Sequence, residues 1–122
     1  MLGDHRCCMS VGDEVWVWDV ERLWELARDL PVEEVPIRQI EVRLANSSCH
    51  FWKGEAPTGL EIAREFARIH RADLSYPVLL SAEGDLMDGL HRMIKAWALE
   101  RDTIRMVRFP ETPEPDERNP VE

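Results

Sequence analysis

The sequence has few of the features that would assign it to a membrane, a secretory pathway or a nucleic-acid coat. No run of about 18 apolar residues occurs in its 122 residues, so no membrane span is predicted. Lysine and arginine total 15 against 24 acids, and the formal net charge of −9 argues against broad neutralisation of DNA or RNA phosphates. The first ten residues lack the apolar core of a secretory signal, which favours a cytoplasmic location.

Cysteine is scarce and unevenly placed. The three cysteines are Cys7, Cys8 and Cys49, an odd number with two adjacent, unlike the paired spacing of a disulfide scaffold. We therefore expect free thiols. His5 and His50 lie near these cysteines in the sequence, but no C-x-x-C spacing is present, so no zinc site is expected. Nucleophile-elbow, zinc-protease, Walker and dinucleotide motifs are also absent.

The residues that are present suffice for one domain with one core. The hydrophobic fraction is 44% of 122 residues. We predict a flexible leader at 1–12, a folded domain at 13–109 and a disordered, acidic, proline-rich tail at 110–122. The stretch 85–108 has five bases and four acids, whereas every other part of the chain is acidic. An anionic small molecule is therefore expected there first.

The hydrophobic periodicity predicts a mixed α/β domain. Strands are predicted at 14–18, 35–44, 77–81, 86–87 and 103–109. Helices are predicted at 20–29, 58–71 and 90–101. These elements indicate a small mixed sheet packed by about three helices, with a β-hairpin leading into the last helix.

The most informative local pattern is a strand, then Asp-Gly-Leu-His-Arg at residues 88–92, then a helix. The first amides of a helix form an anion site, and Gly89 permits close approach of a ligand. Arg92 can donate two hydrogen bonds to a phosphate or carboxylate, and His91 can relay a proton. Asp88 fits three roles, as an amide cap, a magnesium ligand or a general base. A purely structural cap and turn fits the same residues.

Residues 79–109, LLSAEGDLMDGLHRMIKAWALERDTIRMVRF, resemble the ParB/sulfiredoxin superfamily, in which a hairpin leads into a G-x-H-R or G-x-x-R helix start and a final strand. The chain looks like the short, single-domain ParB-like proteins. In partition ParB proteins the turn matched by Gly89 and Arg92 contacts a nucleoside triphosphate. Related free serine kinases use a D-G-x-H-R turn, similar to Asp88 to Arg92, at an adenine nucleotide. Leu90 stands where sulfiredoxins have their nucleophilic cysteine, so the resemblance does not imply sulfiredoxin chemistry.

The resemblance and the local pattern together predict binding of a nucleotide or another phosphorylated ligand, with ATP or CTP and Mg²⁺ as the expected cofactors. Gly89, Leu90 and Arg92 are expected to position the phosphate. Asp88 is expected to hold the metal, and Asp88 and His91 to act as catalytic residues if phosphate is hydrolysed or transferred. The alternative is a non-catalytic interaction module whose acidic tail recruits a basic partner. Sequence-specific DNA binding of the partition type is the least favoured hypothesis.

The long connection at 46–57 carries two aromatic residues, Phe51 and Trp52. Loops of this length often have a function, although aromatic side chains also cover the edge of a core. Both a stacking surface and a core edge fit these residues. His70 and Arg71 end a predicted helix, where cations interact favourably with the helix dipole, and they are expected to do so here.

Overall fold

The described part of the chain, residues 6–46 and 56–121 of a computed structural model, contains seven strands and four helices. The strands are β1 (Arg6–Val11), β2 (Glu14–Asp19), β3 (Glu33–Pro36), β4 (Val78–Leu80), β5 (Leu86–Asp88), β6 (Thr103–Arg108) and β7 (Glu117–Pro120). The helices are α1 (Val20–Ala27), α2 (Ile37–Asn46), α3 (Gly59–Arg71) and α4 (Leu90–Ala98). The predicted mixture of helices and strands is confirmed, but there are two sheets and four helices where one small mixed sheet and about three helices were predicted, because α2 and the antiparallel sheet formed by the ends of the described chain were not foreseen. None of these four helices combines the length and the apolar character that a bilayer crossing needs.

The strands form two sheets. One is a three-stranded antiparallel sheet in the order β1-β2-β7. The other is a four-stranded mixed sheet in the order β3-β6-β4-β5, in which β4 lies parallel to β6 and the other neighbours are antiparallel. The predicted hairpin of β4 and β5 is confirmed, and it places the end of β5 directly before α4.

Two apolar clusters lie on opposite faces of the mixed sheet. One cluster consists of Cys7, Trp18, Val20, Leu23, Ala27, Leu79, Met87, Val107 and Phe109. The other consists of Ile40, Val78, Leu80, Met93, Ala96, Ile104 and Met106. Successive side chains of β4 point to opposite faces, so Leu79 belongs to the first cluster and its two neighbours belong to the second. The continuous apolar run of β4 is explained by burial on both faces.

The helices α1 and α3 begin at the predicted side-chain caps. Asp19 caps α1, because its carboxylate accepts a hydrogen bond from the backbone N–H of Glu21 at 3.0 Å. Thr58 and Glu61 form the predicted capping box of α3, with reciprocal hydrogen bonds of 3.2 and 2.9 Å. These starts were predictable because both partners lie within three residues.

The prediction of one strand over 35–44 is wrong beyond Pro36. Only β3 is extended there, and the chain enters α2 at Ile37. Ile37, Ile40 and Leu44 repeat at helical spacing, whereas Ile40, Val42 and Leu44 alternate, so the sequence supports both periods. The structure follows the helical one, since Ile40 is fully buried and Val42, which alternation places on the same face, is 62% exposed.

Both ends of the described chain are paired into the antiparallel sheet, in contrast to the predicted flexible leader at 1–12 and disordered tail at 110–122. The first described residues form β1, and the tail forms β7 against β2. The indole Nε1 of Trp18 donates to the carbonyl of Pro113 at 2.8 Å. The tail is ordered by backbone pairing and polar contacts, which hydrophobic periodicity does not reveal.

The two described cysteines are free thiols, as expected, in different environments. Cys7 is buried and Cys8 is exposed. Burial above all, helped by the charges of Cys8 and Asp88, raises the pKa of the Cys7 thiol to about 12. Cys7 therefore behaves as a small, neutral core residue at ordinary pH. Within residues 6–46 and 56–121 no three histidine, cysteine or acidic side chains form a metal-binding group, and Cys49 lies outside these residues.

Candidate functional site

The candidate site is the turn between β5 and α4, where Gly89 is the N-cap residue of the helix. Its φ of +118° belongs to a region that residues with a side chain rarely adopt. A Cβ at this position would lie 3.0 Å from both Arg92 Nη2 and Val78 Cγ2. Glycine is required by the backbone angle and by the close packing, and it brings no side chain that could cap the first amides of α4.

Asp88 and Arg92 form an ion pair beside this turn. Arg92 Nη2 donates to Asp88 Oδ2 at 3.0 Å, and the side chains are only 18% and 8% exposed. Trp24 Nε1 donates to the same oxygen at 2.9 Å. A cation in the first turn of a helix is disfavoured by the helix dipole, so the carboxylate offsets the unfavourable position of the guanidinium.

Aromatic rings from α1 and from the loop before β4 enclose the ion pair. The guanidinium carbon of Arg92 lies 5.5 Å from the centroid of the Trp24 ring, within cation–π range. Trp24 in turn meets Tyr76 edge-on, with 6.1 Å between the ring centroids. The side chain of Arg92 is thus held from two sides, by a charge and by a ring.

One donor of this arginine is not satisfied by the described residues. Arg92 Nε is fully buried and has no acceptor within residues 6–46 and 56–121. An unsatisfied buried N–H costs about 1–3 kcal/mol, and such a donor in a native fold requires an explanation.

His91 is paired with a glutamate of α3. The imidazole Nε2 lies 3.0 Å from Glu65 Oε1, and the other carboxylate oxygen of Glu65 accepts from Arg68 at 2.5 Å. Glu65 is buried although the residues around it on α3 are mostly exposed. A carboxylate that orients an imidazole is the usual arrangement of a general base.

The structure brings Asp88 and Arg92 of the predicted site together, and it pairs His91 with a residue of another helix. Asp88 and Arg92 are in direct contact, and Leu90 begins α4 in a half-buried position. His91 contacts Glu65, which was not predicted to belong to the site. Trp24 was also not predicted, because its contact with Asp88 spans 64 positions of the chain and leaves no local signal.

The fit of Asp88 to magnesium is poor in this geometry. Its Oδ2 atom already accepts hydrogen bonds from an indole and a guanidinium. Magnesium usually binds one or two carboxylates together with substrate phosphates and water. The contacts of Asp88 fit a carboxylate that positions Arg92 better than they fit a metal ligand.

Comparisons with known proteins assign the chain to no family. No protein-family model, no curated protein and no solved structure matches it. The interpretation of the site therefore rests on the geometry of the described residues. Phe51 and Trp52, considered above as a stacking surface, lie outside those residues.

Proposed function

We propose that the chain binds a phosphorylated ligand, a nucleoside triphosphate such as ATP or CTP, at the turn from Asp88 to Arg92. The observation that carries this proposal is the combination of Gly89 as an N-cap without a side chain and a guanidinium fixed beside it. The helix start favours negative charge, and the guanidinium of Arg92, which is partly exposed, adds a positive charge beside it. Gly89, Leu90 and Arg92 would position the phosphate.

The order of elements supports a fold of the ParB/sulfiredoxin type, which we also propose. The hairpin of β4 and β5 leads into the Gly-Leu-His-Arg start of α4, and the chain then forms β6. The parallel pairing of β6 with β4 brings the chain back beside the hairpin. This is the hairpin, helix and final strand on which the resemblance rests.

The pair of Glu65 and His91 supports a proton-handling role at the same turn. His91 follows Gly89 by two residues, so the imidazole is carried by the helix turn that would hold the phosphate. Glu65 orients the ring, because its carboxylate accepts a hydrogen bond from Nε2–H of the imidazole. If the bound ligand is hydrolysed or transfers its phosphate, His91 is the residue proposed to move the proton.

The alternative of an adaptor whose acidic tail recruits a basic partner has less support. Asp116 and Glu117 of the tail are bound by Arg22 and Arg6 of the same chain. A partner would have to compete with these intramolecular ion pairs and with the pairing of β7 on β2. The tail is therefore better suited to holding the fold than to recruitment.

Calorimetric titration with ATP, CTP and GTP, with and without Mg²⁺, tests the proposed function. The decisive variant is Asp88→Asn combined with Arg92→Gln, which removes both charges, keeps a polar side chain at each position and leaves the net charge unchanged. We expect wild-type binding to weaken at least about tenfold in this variant, because a charged hydrogen bond is worth roughly 1.5–3 kcal/mol.

The matched control is the pair Asp29→Asn and Arg38→Gln, two exposed residues that lie outside the turn. It also leaves the net charge unchanged, and we expect it to bind as the wild type does. Absence of nucleotide binding by the wild type, or equal affinity of the two double variants, contradicts the proposal. A requirement for Mg²⁺ would assign the metal to the ligand phosphates, because the contacts of Asp88 fit a metal ligand poorly.

A further inference from the structure

A second feature lies beyond the turn: an open groove of about 640 Å³ between the end of α3, the loop that follows it, and the side of α4 and β6. Four cations line the groove, Arg71, Lys95, Arg101 and Arg105, and a single carboxylate, that of Asp73, accompanies them. The chain as a whole has a net charge of −9. A concentration of positive charge in one concave site contrasts with this acidic surface and attracts anions.

Two of the cations are bound to uncharged groups. Lys95 Nζ donates to the carbonyl oxygens of His70 and Ala72, at 2.6 and 2.8 Å. Arg105 Nη1 donates to the carbonyl of Ser75 at 3.2 Å. These contacts fix the loop after α3 and hold both side chains in place. Because the acceptors are carbonyls and not carboxylates, these contacts do not neutralise the charge of either cation.

The other two cations are exposed and unpaired within the described part of the chain. Arg71 and Arg101 have no described carboxylate within 4.0 Å, and no hydrogen bond of their side chains to a described residue is present. Their guanidinium groups can therefore turn towards an anion without breaking a contact. An arginine can donate two parallel hydrogen bonds to a phosphate.

The one carboxylate in the groove is engaged locally. Asp73 Oδ1 accepts from the hydroxyl and the backbone N–H of Ser75, at 2.7 and 2.9 Å. These hydrogen bonds chiefly, and the positive charges of Lys95 and Arg92 further, lower the pKa of Asp73. The carboxylate stays ionised and holds the loop, and the four cations still outnumber it by three.

We propose that this groove binds a small molecule that carries a chain of phosphate groups. An excess of three positive charges matches a polyphosphate better than a single carboxylate, and the volume falls within the roughly 300–1,000 Å³ of small-molecule sites. This chain of phosphate groups is either inorganic or part of a nucleotide. This site is additional to the proposed function, because no residue from Asp88 to Arg92 lines the groove.

The probe for the test is inorganic triphosphate, titrated into the full chain by calorimetry. The test variant combines Arg71→Gln with Arg101→Gln, and the control combines Arg28→Gln with Arg38→Gln, two exposed arginines elsewhere. Both pairs change the net charge from −9 to −11, so a difference in affinity between them is due to the groove and not to the overall charge. We expect the affinity to fall about tenfold or more in the groove pair and to change little in the control pair.

A third variant, Asp88→Asn with Arg92→Gln, separates the groove from the turn, because the proposed function expects the turn to bind phosphate groups as well. We expect the wild type to bind two triphosphates, the groove pair to keep only the one at the turn, and the turn variant to keep only the one in the groove. ATP binding as tightly as triphosphate indicates recognition of the phosphate chain alone, and tighter binding of ATP indicates added contacts to the nucleoside. The proposal is overturned by no triphosphate binding in the wild type or by equal losses in the two arginine pairs. The proposal is also overturned if triphosphate binding is lost only in the turn variant, or if a single-stranded oligonucleotide binds more tightly than triphosphate.

Discussion

At the scale of single residues, the ion pair of Asp88 and Arg92 determines how the candidate site is held. The carboxylate oxygen Oδ2 joins an indole from α1 to a guanidinium from α4. Both charges are largely removed from water, so each depends on the other. Loss of one partner from such a pair is more harmful than loss of both, because it leaves an uncompensated buried charge.

The first prediction concerns this difference. We expect Arg92→Ala to lower the free energy of unfolding by about 3 kcal/mol, because the Asp88 carboxylate loses its cation. The double variant Asp88→Asn, Arg92→Gln is expected to lose less, about 1–2 kcal/mol, since no buried charge remains and only the contact of the guanidinium with Trp24 is lost. Urea unfolding followed by circular dichroism measures both values. An Arg92→Ala variant as stable as the double variant contradicts this account.

The second prediction concerns Gly89. We expect Gly89→Ala to lower the free energy of unfolding by about 1–3 kcal/mol, because alanine is strained at this φ and its Cβ would meet Val78 and Arg92 at 3.0 Å. Gly59→Ala at the start of α3 is the control, since no atom lies within 4 Å of a Cβ there. Thermal unfolding of both variants provides the comparison. Equal melting temperatures would show that Gly89 is not under the inferred constraint.

The residues of the site were predictable from the sequence only where they are neighbours in it. Asp88, Gly89 and Arg92 form one short motif, and the structure places them in one turn. Trp24 and Glu65 reach the site across 64 and 26 positions. A tryptophan on an apolar helix face and a glutamate on an amphipathic helix have many other uses, so neither residue type indicates this contact.

At the scale of elements, a helix or strand was predicted correctly where the interactions that determine it lie between residues close in the sequence. The capping box of α3 identified its start correctly, since Thr58 and Glu61 satisfy each other. The face that α3 buries was not predicted, because Leu60, Ile62 and Phe66 are exposed while Glu65 is buried. The choice between a strand and a helix for α2 was settled by packing of Ile40 into the second apolar cluster.

The third prediction concerns the attachment of β7. The carboxylate of Asp116 accepts hydrogen bonds from the backbone N–H of Asp19 and from Arg22, and these contacts lower its pKa. A carboxyl whose pKa is lower in the folded state stabilises the fold above its ordinary pKa near 3.9 and loses that contribution as the pH falls through the folded pKa. Acid is therefore expected to weaken the attachment.

Asp116→Asn should mimic this effect of acid. Because Asp116 is partly exposed, we expect a loss of no more than about 1 kcal/mol at pH 7, and no difference from the wild type below the folded pKa. Urea midpoints measured from pH 7 down to pH 2 test this, with Glu111→Gln as an exposed control from the same tail. A constant difference between Asp116→Asn and wild type across the whole range is incompatible with the pKa assignment.

At the scale of the whole molecule, the mixed sheet couples two apolar clusters. Strands β4 and β6 contribute alternate side chains to each cluster, so neither cluster can come apart without disturbing the other. The candidate turn joins the same sheet to α4, and Trp24, which packs against the first cluster, donates a hydrogen bond to Asp88. The antiparallel sheet of β1, β2 and β7 is attached to the first cluster by Trp18 of β2, which is fully buried. One cooperative unit should result.

The fourth prediction tests this coupling with one variant in each cluster. Leu23→Ala and Ile40→Ala each remove a fully buried side chain, and each is expected to lower the free energy of unfolding by about 2–5 kcal/mol. In both variants, tryptophan fluorescence and far-ultraviolet circular dichroism should give the same urea midpoint. Both variants are made in a chain that carries Trp52→Phe and Trp97→Phe. The remaining tryptophans are Trp18 in the first cluster and Trp16 and Trp24 packed against it, so the fluorescence reports on that cluster, whereas the dichroism reports on all elements. Separate midpoints in Ile40→Ala, with fluorescence changing later than dichroism, would mean that the second cluster unfolds alone and that the shared sheet does not couple them.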